Sequence, residues 1–249
     1  MSLTKNEIKF VKSLHQKKYR DSNQLFIVEG EKLIQELLSQ KQYKIECIYH
    51  TQDYSITEQN EAFSTFLISK SDLERISNLK TPNKVLATVR FKEEEDLDLT
   101  KKKLVLLLDE VKDPGNLGTI IRTANWFGVD QIICSKNTVD LYNPKTIQAS
   151  MGAIYEAHIH YRYLLQILPA LKAADYILTG ASLTGENIYQ TSFKEKTALI
   201  MGSESHGIST EIMQALDQAI LIPKYGTAES LNVGIATGII LAEYKRQLP

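Results

Sequence analysis

The sequence predicts an α/β protein of two domains: a small N-terminal α/β domain over residues 1–91 and a C-terminal domain over 104–249 built on a mainly parallel sheet. Three observations predict this. At roughly 150 residues per domain, a 249-residue chain lies between one large domain and two smaller ones. The stretch KEEEDLDLTKKK at 92–103, an acidic run and then a basic run with few apolar residues, reads as a linker. Beyond it, short apolar runs alternate with segments of helical periodicity, the pattern of parallel strands covered by helices on both faces.

In the N-terminal part, FIVEGEKLIQELL gives a short strand, Phe26 to Val28, that enters a helix whose Leu33, Ile34, Leu37 and Leu38 follow helical spacing. IECIYH, STFLIS and KVLATVRF read as further strands. They are separated by the polar stretch 51–60 and by SKSDLERISNLK, a helix for which Ser71 and Glu74 offer a capping box. After the linker, strands are expected at LVLLL, QIIC, YEAHIH, YILTGA, TALIMG and AILIP. Helices are expected at LGTIIRTANWFG, NPKTIQASMG, RYLLQILPALKAA, 209–216 and from about Ser230 to Arg246. No internal repeat suggests a solenoid.

Composition narrows the function classes. With 43% hydrophobic and 24% charged residues the chain is neither disordered nor fibrous. No apolar run approaches the ~18 residues of a membrane span, and the N-terminus lacks the apolar core of a secretory signal, so a cytoplasmic protein is expected. Cys47 and Cys134 are isolated, without metal-ligand spacing, and are expected to be buried free thiols. The net charge of −1 argues against indiscriminate coating of nucleic acid. Residues 1–20, however, carry Lys5, Lys9, Lys12, Lys17, Lys18 and Arg20 against Glu7 alone, a basic arm that attracts phosphates or serves as a solvated helix face.

Ligands of parallel sheets sit at the carboxyl ends of the strands, and three loops there carry unusual residues. DEVKDPGNLG, after Leu108, offers Asn116 as an N-cap and places Arg122 within two turns of a helix start. An Arg near a positive helix terminus gains nothing from the dipole, which suggests either a bound phosphate or carboxylate or a pairing with an acid such as Glu110. GSESHG, after Met201, holds Glu204 and His206, with Ser209 as a cap for the next helix. PKYGTAES, after Ile222, leads to Ser230, Leu231 and Asn232, two of which have an ordinary capping explanation. Neither GxGxxG nor a Walker GK[ST] is present, which disfavours dinucleotide binding and nucleotide hydrolysis. His158 and His160 share one face of an expected strand and read as structural.

With DEVKDPGNLGTIIRTANWFG, IMGSESHGIS and IPKYGTAESLNVGIATGI in this order, the chain resembles the SpoU (TrmH-like) family of RNA ribose 2'-O-methyltransferases, of the SPOUT class. The likeness covers Leu104 to Arg246, and FIVEGEKLI resembles the start of the small RNA substrate-binding domain that such enzymes often carry. It implies a C-terminal trefoil knot, which patterning alone could not suggest because knots are close to absent from protein folds. It also implies S-adenosylmethionine as cofactor, a homodimer with its site at the interface, no metal, and RNA as substrate. Ribosomal RNA is favoured, 23S with a guanosine by analogy. A tRNA substrate and a non-catalytic RNA-binding assembly factor are the alternatives.

The resemblance places the cofactor against Thr179, Gly180, Ala181, Gly202, Ile222 and Leu231, and the catalytic positions at Asn116, Arg122, Glu204, Ser230 and Asn232. Arg122 is expected to hold the target phosphate rather than act as base, since arginine is not deprotonated in proteins. Ser230 would orient the ribose, Asn116 the Arg122 region, and Glu204 and Asn232 the loops. One departure is Gly234, where many relatives have Ser; it is expected to alter helix packing.

Overall fold

The computed structural model describes residues 3–40, 42–56, 63–93, 95–99, 103–129 and 131–248. Two compact units are formed, one of Met1–Glu93 with Asp140–Tyr155, the other of Glu94–Val139 with Glu156–Pro249.

The first unit holds helices α1 (Lys5–Ser13), α2 (Lys17–Asn23), α3 (Glu31–Ser39) and α4 (Lys70–Ile76), with strands β1 (Leu25–Glu29), β2 (Ile45–His50), β3 (Ser64–Leu67) and β4 (Val85–Arg90). The sheet runs β1-β4-β2-β3, antiparallel except for the β2–β3 pair. Thr4 and Glu7 form a reciprocal capping box that starts α1. The cap of α4 is Ser69, accepting from the Asp72 N–H at 3.0 Å, two residues before the expected Ser71. Asp72 can both close that first turn and receive the Ser69 hydroxyl, so the helix begins earlier.

Segment 140–155, which includes α6 (Pro144–Ser150), lies between two strands of the second unit's sheet in sequence yet completes the first unit. Its Tyr142 ring stacks on Phe26 and Phe91, with centroids 4.5 and 4.1 Å away, and Tyr155 meets Tyr43 edge-on. Arg20, expected to face a polyanion, is instead 1% exposed, donating to the Leu14 and His15 carbonyls and pairing with Asp140 at 2.5 Å. Burial excludes this arginine from the basic arm. Lys17 pairs with Asp21, while Lys5, Lys9 and Lys12 stay exposed.

In the second unit six strands are all parallel, ordered β10-β8-β9-β5-β6-β7. They are β5 (Leu104–Leu108), β6 (Gln131–Ser135), β7 (His158–Arg162), β8 (Ile177–Asn187), β9 (Thr197–Met201) and β10 (Gln218–Leu221). β5, β6 and β9 are buried throughout, as apolar runs in a parallel sheet should be. Helices α5 (Pro114–Trp126), α7 (Leu164–Ala173), α8 (Thr210–Ala215) and α9 (Val233–Gln247) complete the unit. Successive strands from β5 step one way along the sheet, whereas β9 lies on its other side, so the chain reverses direction at β5–β9. Such a switch point is where ligands of open parallel sheets bind.

The stretch expected as a polar linker carries Leu97 and Leu99 packed against this unit's core, and Glu95 pairs with His158 at 2.5 Å; its residues 94 and 100–102 lie outside the described ones. His160 and both cysteines are buried. Gly234 and Gly238 of α9 face Thr119 and Thr123 of α5, where added Cβ atoms would stand 3.1 and 3.4 Å from the threonine methyls. Glycine at 234 therefore matches Thr119, and the two helices pack closely. Among the described residues no helix is long and apolar enough to cross a membrane.

Candidate active site

The three loops meet at the β5–β9 switch point. The first is bolted to the second by Asp109, whose N–H donates to the Met201 carbonyl at 2.8 Å and whose buried carboxylate accepts from the Ser209 N–H at 2.8 Å. Sequence reasoning passed over Asp109, although an acid directly after a fully buried strand was its signal. Glu110 then takes a left-handed conformation, φ 59°, a strained geometry for a side chain of its size. Asn137 and Lys112 hold its carboxylate and lower its pKa. It does not pair with Arg122.

Asp113, not Asn116, caps α5, accepting from the Asn116 N–H at 2.9 Å, and Pro114 pre-sets the first turn. Asn116 is thereby released from capping and uses both ends of its amide between loops. Its Nδ2 donates to Glu204 Oε1, and its Oδ1 accepts from Asn232 Nδ2 at 2.8 Å. Asn232 in turn caps α9, with its Oδ1 receiving the Gly234 and Ile235 N–H groups at 2.9 and 3.3 Å. One chain of side chains thus joins all three loops and the start of a helix. Ser209 precedes α8 as expected, but its side chain makes no capping hydrogen bond.

Beside this chain opens a cavity of about 570 Å³, within the range of small-molecule sites. Ala181, Gly202, Glu204, Ile222, Ser230 and Leu231 line it, with Lys224, Tyr225, Glu229 and His206 as polar neighbours. The backbones of Gly202, Ile222 and Leu231 take no part in the loop and cap hydrogen bonds among the described residues. His206 Nδ1 lies 2.8 Å from the Ser205 hydroxyl.

Two of the expected cofactor residues lie elsewhere. Thr179 is fully buried with its hydroxyl accepting from Gln218 Nε2, and at Gly180 a Cβ would strike Leu216 and Ile208, so both serve the packing beneath the cavity. At Gly202 the missing side chain makes room for the Gly207–Ile208 backbone of its own loop. Arg122 is exposed on α5, six residues beyond Asn116 or about 9 Å along the axis, and does not line the cavity. Its side chain makes no hydrogen bond or ion pair among the described residues. Thr119, Arg122 and Trp126 share its face, and Trp126 is 84% exposed.

Comparison with known proteins agrees with this geometry. Residues 103–242 match the model of the SpoU rRNA Methylase family, and residues 5–87 that of the MRM3-like substrate binding domain. The 23S rRNA (guanosine(2553)-2'-O)-methyltransferase RlmP of Bacillus subtilis is 31% identical over 241 residues, 96% of each chain. A TrmH-family protein from Porphyromonas gingivalis superposes with a TM-score of 0.89 at 35% identity, over 99% of this chain and 100% of that one. An AdoMet-bound rRNA methyltransferase from Sinorhizobium meliloti gives 0.87 at 29% identity, over 100% and 97%. By the motifs, the meeting of the three loops and these matches along the whole chain, the protein belongs to the SpoU rRNA methylase family.

Proposed function

We propose that the protein is an S-adenosylmethionine-dependent RNA ribose 2'-O-methyltransferase acting on 23S ribosomal RNA. The observation that carries this reading is the Glu204–Asn116–Asn232 chain, which fixes three loops around one cavity. The cavity fits the cofactor: apolar Ile222, Leu231 and Val233 suit an adenine, and the backbones of Gly202, Ile222 and Leu231 suit its hydrogen-bonding edge. When bound, S-adenosylmethionine supplies an activated methyl group, so the protein's work is alignment and charge stabilisation.

In this reading Ser230, whose hydroxyl has no partner among the described residues, orients the ribose. Arg122 grips the target phosphate with its planar fork and stabilises negative charge developing on the 2'-oxygen. It stays protonated, and the 2'-hydroxyl proton leaves to phosphate or water. Asn116, Glu204 and Asn232 hold the loops in register.

A single chain presents Arg122 outside the cavity, and the exposed face of α5 and α9 bears Trp126 and Ile235, the latter 57% exposed. Both features favour a homodimer in which that face is covered and the site is completed. The close α5–α9 packing fits the knotted C-terminal segment implied by the family. The test is transfer of labelled methyl from S-adenosylmethionine to separated unmodified ribosomal and transfer RNA, read by nucleoside mass spectrometry. A 2'-O-methyl nucleoside in the 23S fraction alone supports the reading. Label in tRNA alone, or in neither pool, opposes it.

A further inference from the structure

The first unit contains a buried charge that none of the catalytic machinery explains. Glu29, the last residue of β1, is 4% exposed. Its carboxylate accepts the Ser77 hydroxyl and the backbone N–H groups of Asn78 and Asn83. Burial pushes its carboxyl above the ordinary carboxylate range, and those donors pull the other way. The next residue, Gly30, has φ 114°, which L side chains rarely adopt, and a Cβ there would lie 3.4 Å from the Asn83 amide. The Glu29 carbonyl meanwhile accepts from Gln148 Nε2 at 2.6 Å.

A buried carboxylate is costly unless well satisfied, so it is a device for fixing something, and here it fixes both ends of one loop. That loop, residues 77–84, reads SNLKTPNK. Asn78, Lys80, Thr81, Asn83 and Lys84 are exposed, and the loop contains no acid. Lys84 reaches Glu31 at 3.1 Å, whereas Lys80 has no partner among the described residues. Amides, a hydroxyl and ammonium groups on a rigid scaffold suit the phosphates and 2'-hydroxyls of folded RNA, which is recognised by shape and backbone.

We propose that loop 77–84 is an RNA-backbone contact of the N-terminal unit and that Glu29 is its positioning residue. The proposal rests on the RNA-methyltransferase reading and adds to it a particular docking surface, separate from the lysines of α1. A carboxylate is needed because all three groups pointing at it are donors. Glutamine would turn an NH₂ toward them and release one end of the loop.

The test measures binding of an unmodified 23S rRNA fragment by the full chain across a salt series, with S-adenosylmethionine binding as control. Lys80→Ala/Lys84→Ala should weaken RNA binding about tenfold at 0.1 M salt and flatten the log K against log salt slope by roughly 0.7 to 0.9 per lost phosphate contact. Cofactor affinity should not change. Glu29→Gln should weaken RNA binding several-fold, again with cofactor affinity intact, and Glu29→Asp should recover part of the loss. A double-lysine variant with wild-type affinity and slope overturns the proposal whatever Glu29→Gln does, and leaves the methyltransferase reading standing. Wild-type protein that neither binds nor methylates the RNA overturns both.

Discussion

Removing Asp140 should unfold the first unit preferentially, and the cost can be worked from its partners. Arg20 is buried and donates to the carbonyls of Leu14 and His15 at 3.0 and 2.9 Å, while its Nε finds no acceptor. Its remaining charge balance comes from Asp140 at 2.5 Å, whose own side chain is 12% exposed. Asp140→Ala would leave a desolvated guanidinium without a counter-charge, a change that costs about 3–5 kcal/mol at buried pairs. It also removes the acceptor of the Tyr142 N–H, at the ring that stacks on Phe26. Asp140→Asn keeps one acceptor and loses the charge, so about 1.5–3 kcal/mol is expected. Replacing both partners, Arg20→Met with Asp140→Leu, should recover most of the loss, because the desolvation penalty disappears with the pair. Urea unfolding followed by circular dichroism measures all three, and cofactor binding reports separately on the second unit. A loss below about 1 kcal/mol for Asp140→Ala, or a double variant as unstable as the single, would refute the reasoning.

Four further outcomes are expected. Asn116→Ala breaks both links of the loop chain and should lower kcat/KM at least tenfold with little change in Tm; unchanged kinetics would detach that chain from catalysis. Arg122→Lys should lose activity by about two orders of magnitude, since an ammonium cannot replace bidentate contacts, and near-normal turnover would contradict the phosphate-gripping role. Ile235→Asp, placing a charge on the exposed α5–α9 face, should shift the protein from dimer to monomer in analytical ultracentrifugation, and a wild-type monomer would exclude the dimer. Hydrogen bonds from Arg246 and then Gln247 hold the Glu243 carboxyl at about 2. Because this pKa is depressed on folding, its stabilisation is full above the unfolded value near 4.5 and fades as pH falls toward 2. Glu243→Gln should therefore flatten the fall of Tm across that window, and an unaltered acid limb would show the pair to be inconsequential.

Much of the architecture was legible because local pattern and tertiary environment agree. LVLLL, QIIC and TALIM are buried runs between turn signals, and they become adjacent parallel strands. The three loops were legible for the same reason: Asn116, Glu204, Ser230 and Asn232 follow strand ends, and strand ends of a parallel sheet converge. What the sequence concealed depends on contacts distant along the chain. Nothing near Arg20 announces Asp140, 120 residues on, so a buried ion pair looked like part of a basic arm. NPKTIQASMG has an ordinary helical pattern, and it is contacts distant along the chain, such as the stack of Tyr142 with Phe26 and Phe91 and the Arg20–Asp140 pair, that reveal that this segment completes the first unit. Asn116 read as a cap because Asp113, three residues earlier, is equally suited and wins. Thr179 and Gly180 are cofactor positions only by the family resemblance, which does not show where strand β8 ends in this chain. β8 continues to Asn187, which leaves both residues beneath the cavity and Ala181 at its wall.

The most direct test of the central claim is methyl transfer to unmodified 23S rRNA by the wild type and by Arg122→Ala, with the product nucleoside identified by mass spectrometry and cofactor binding checked in both. A 2'-O-methylated nucleoside is expected from the wild type and is expected to be lost in the variant while cofactor binding persists. Equal methylation by both proteins, or a methyl group on a base rather than a ribose, would contradict the claim.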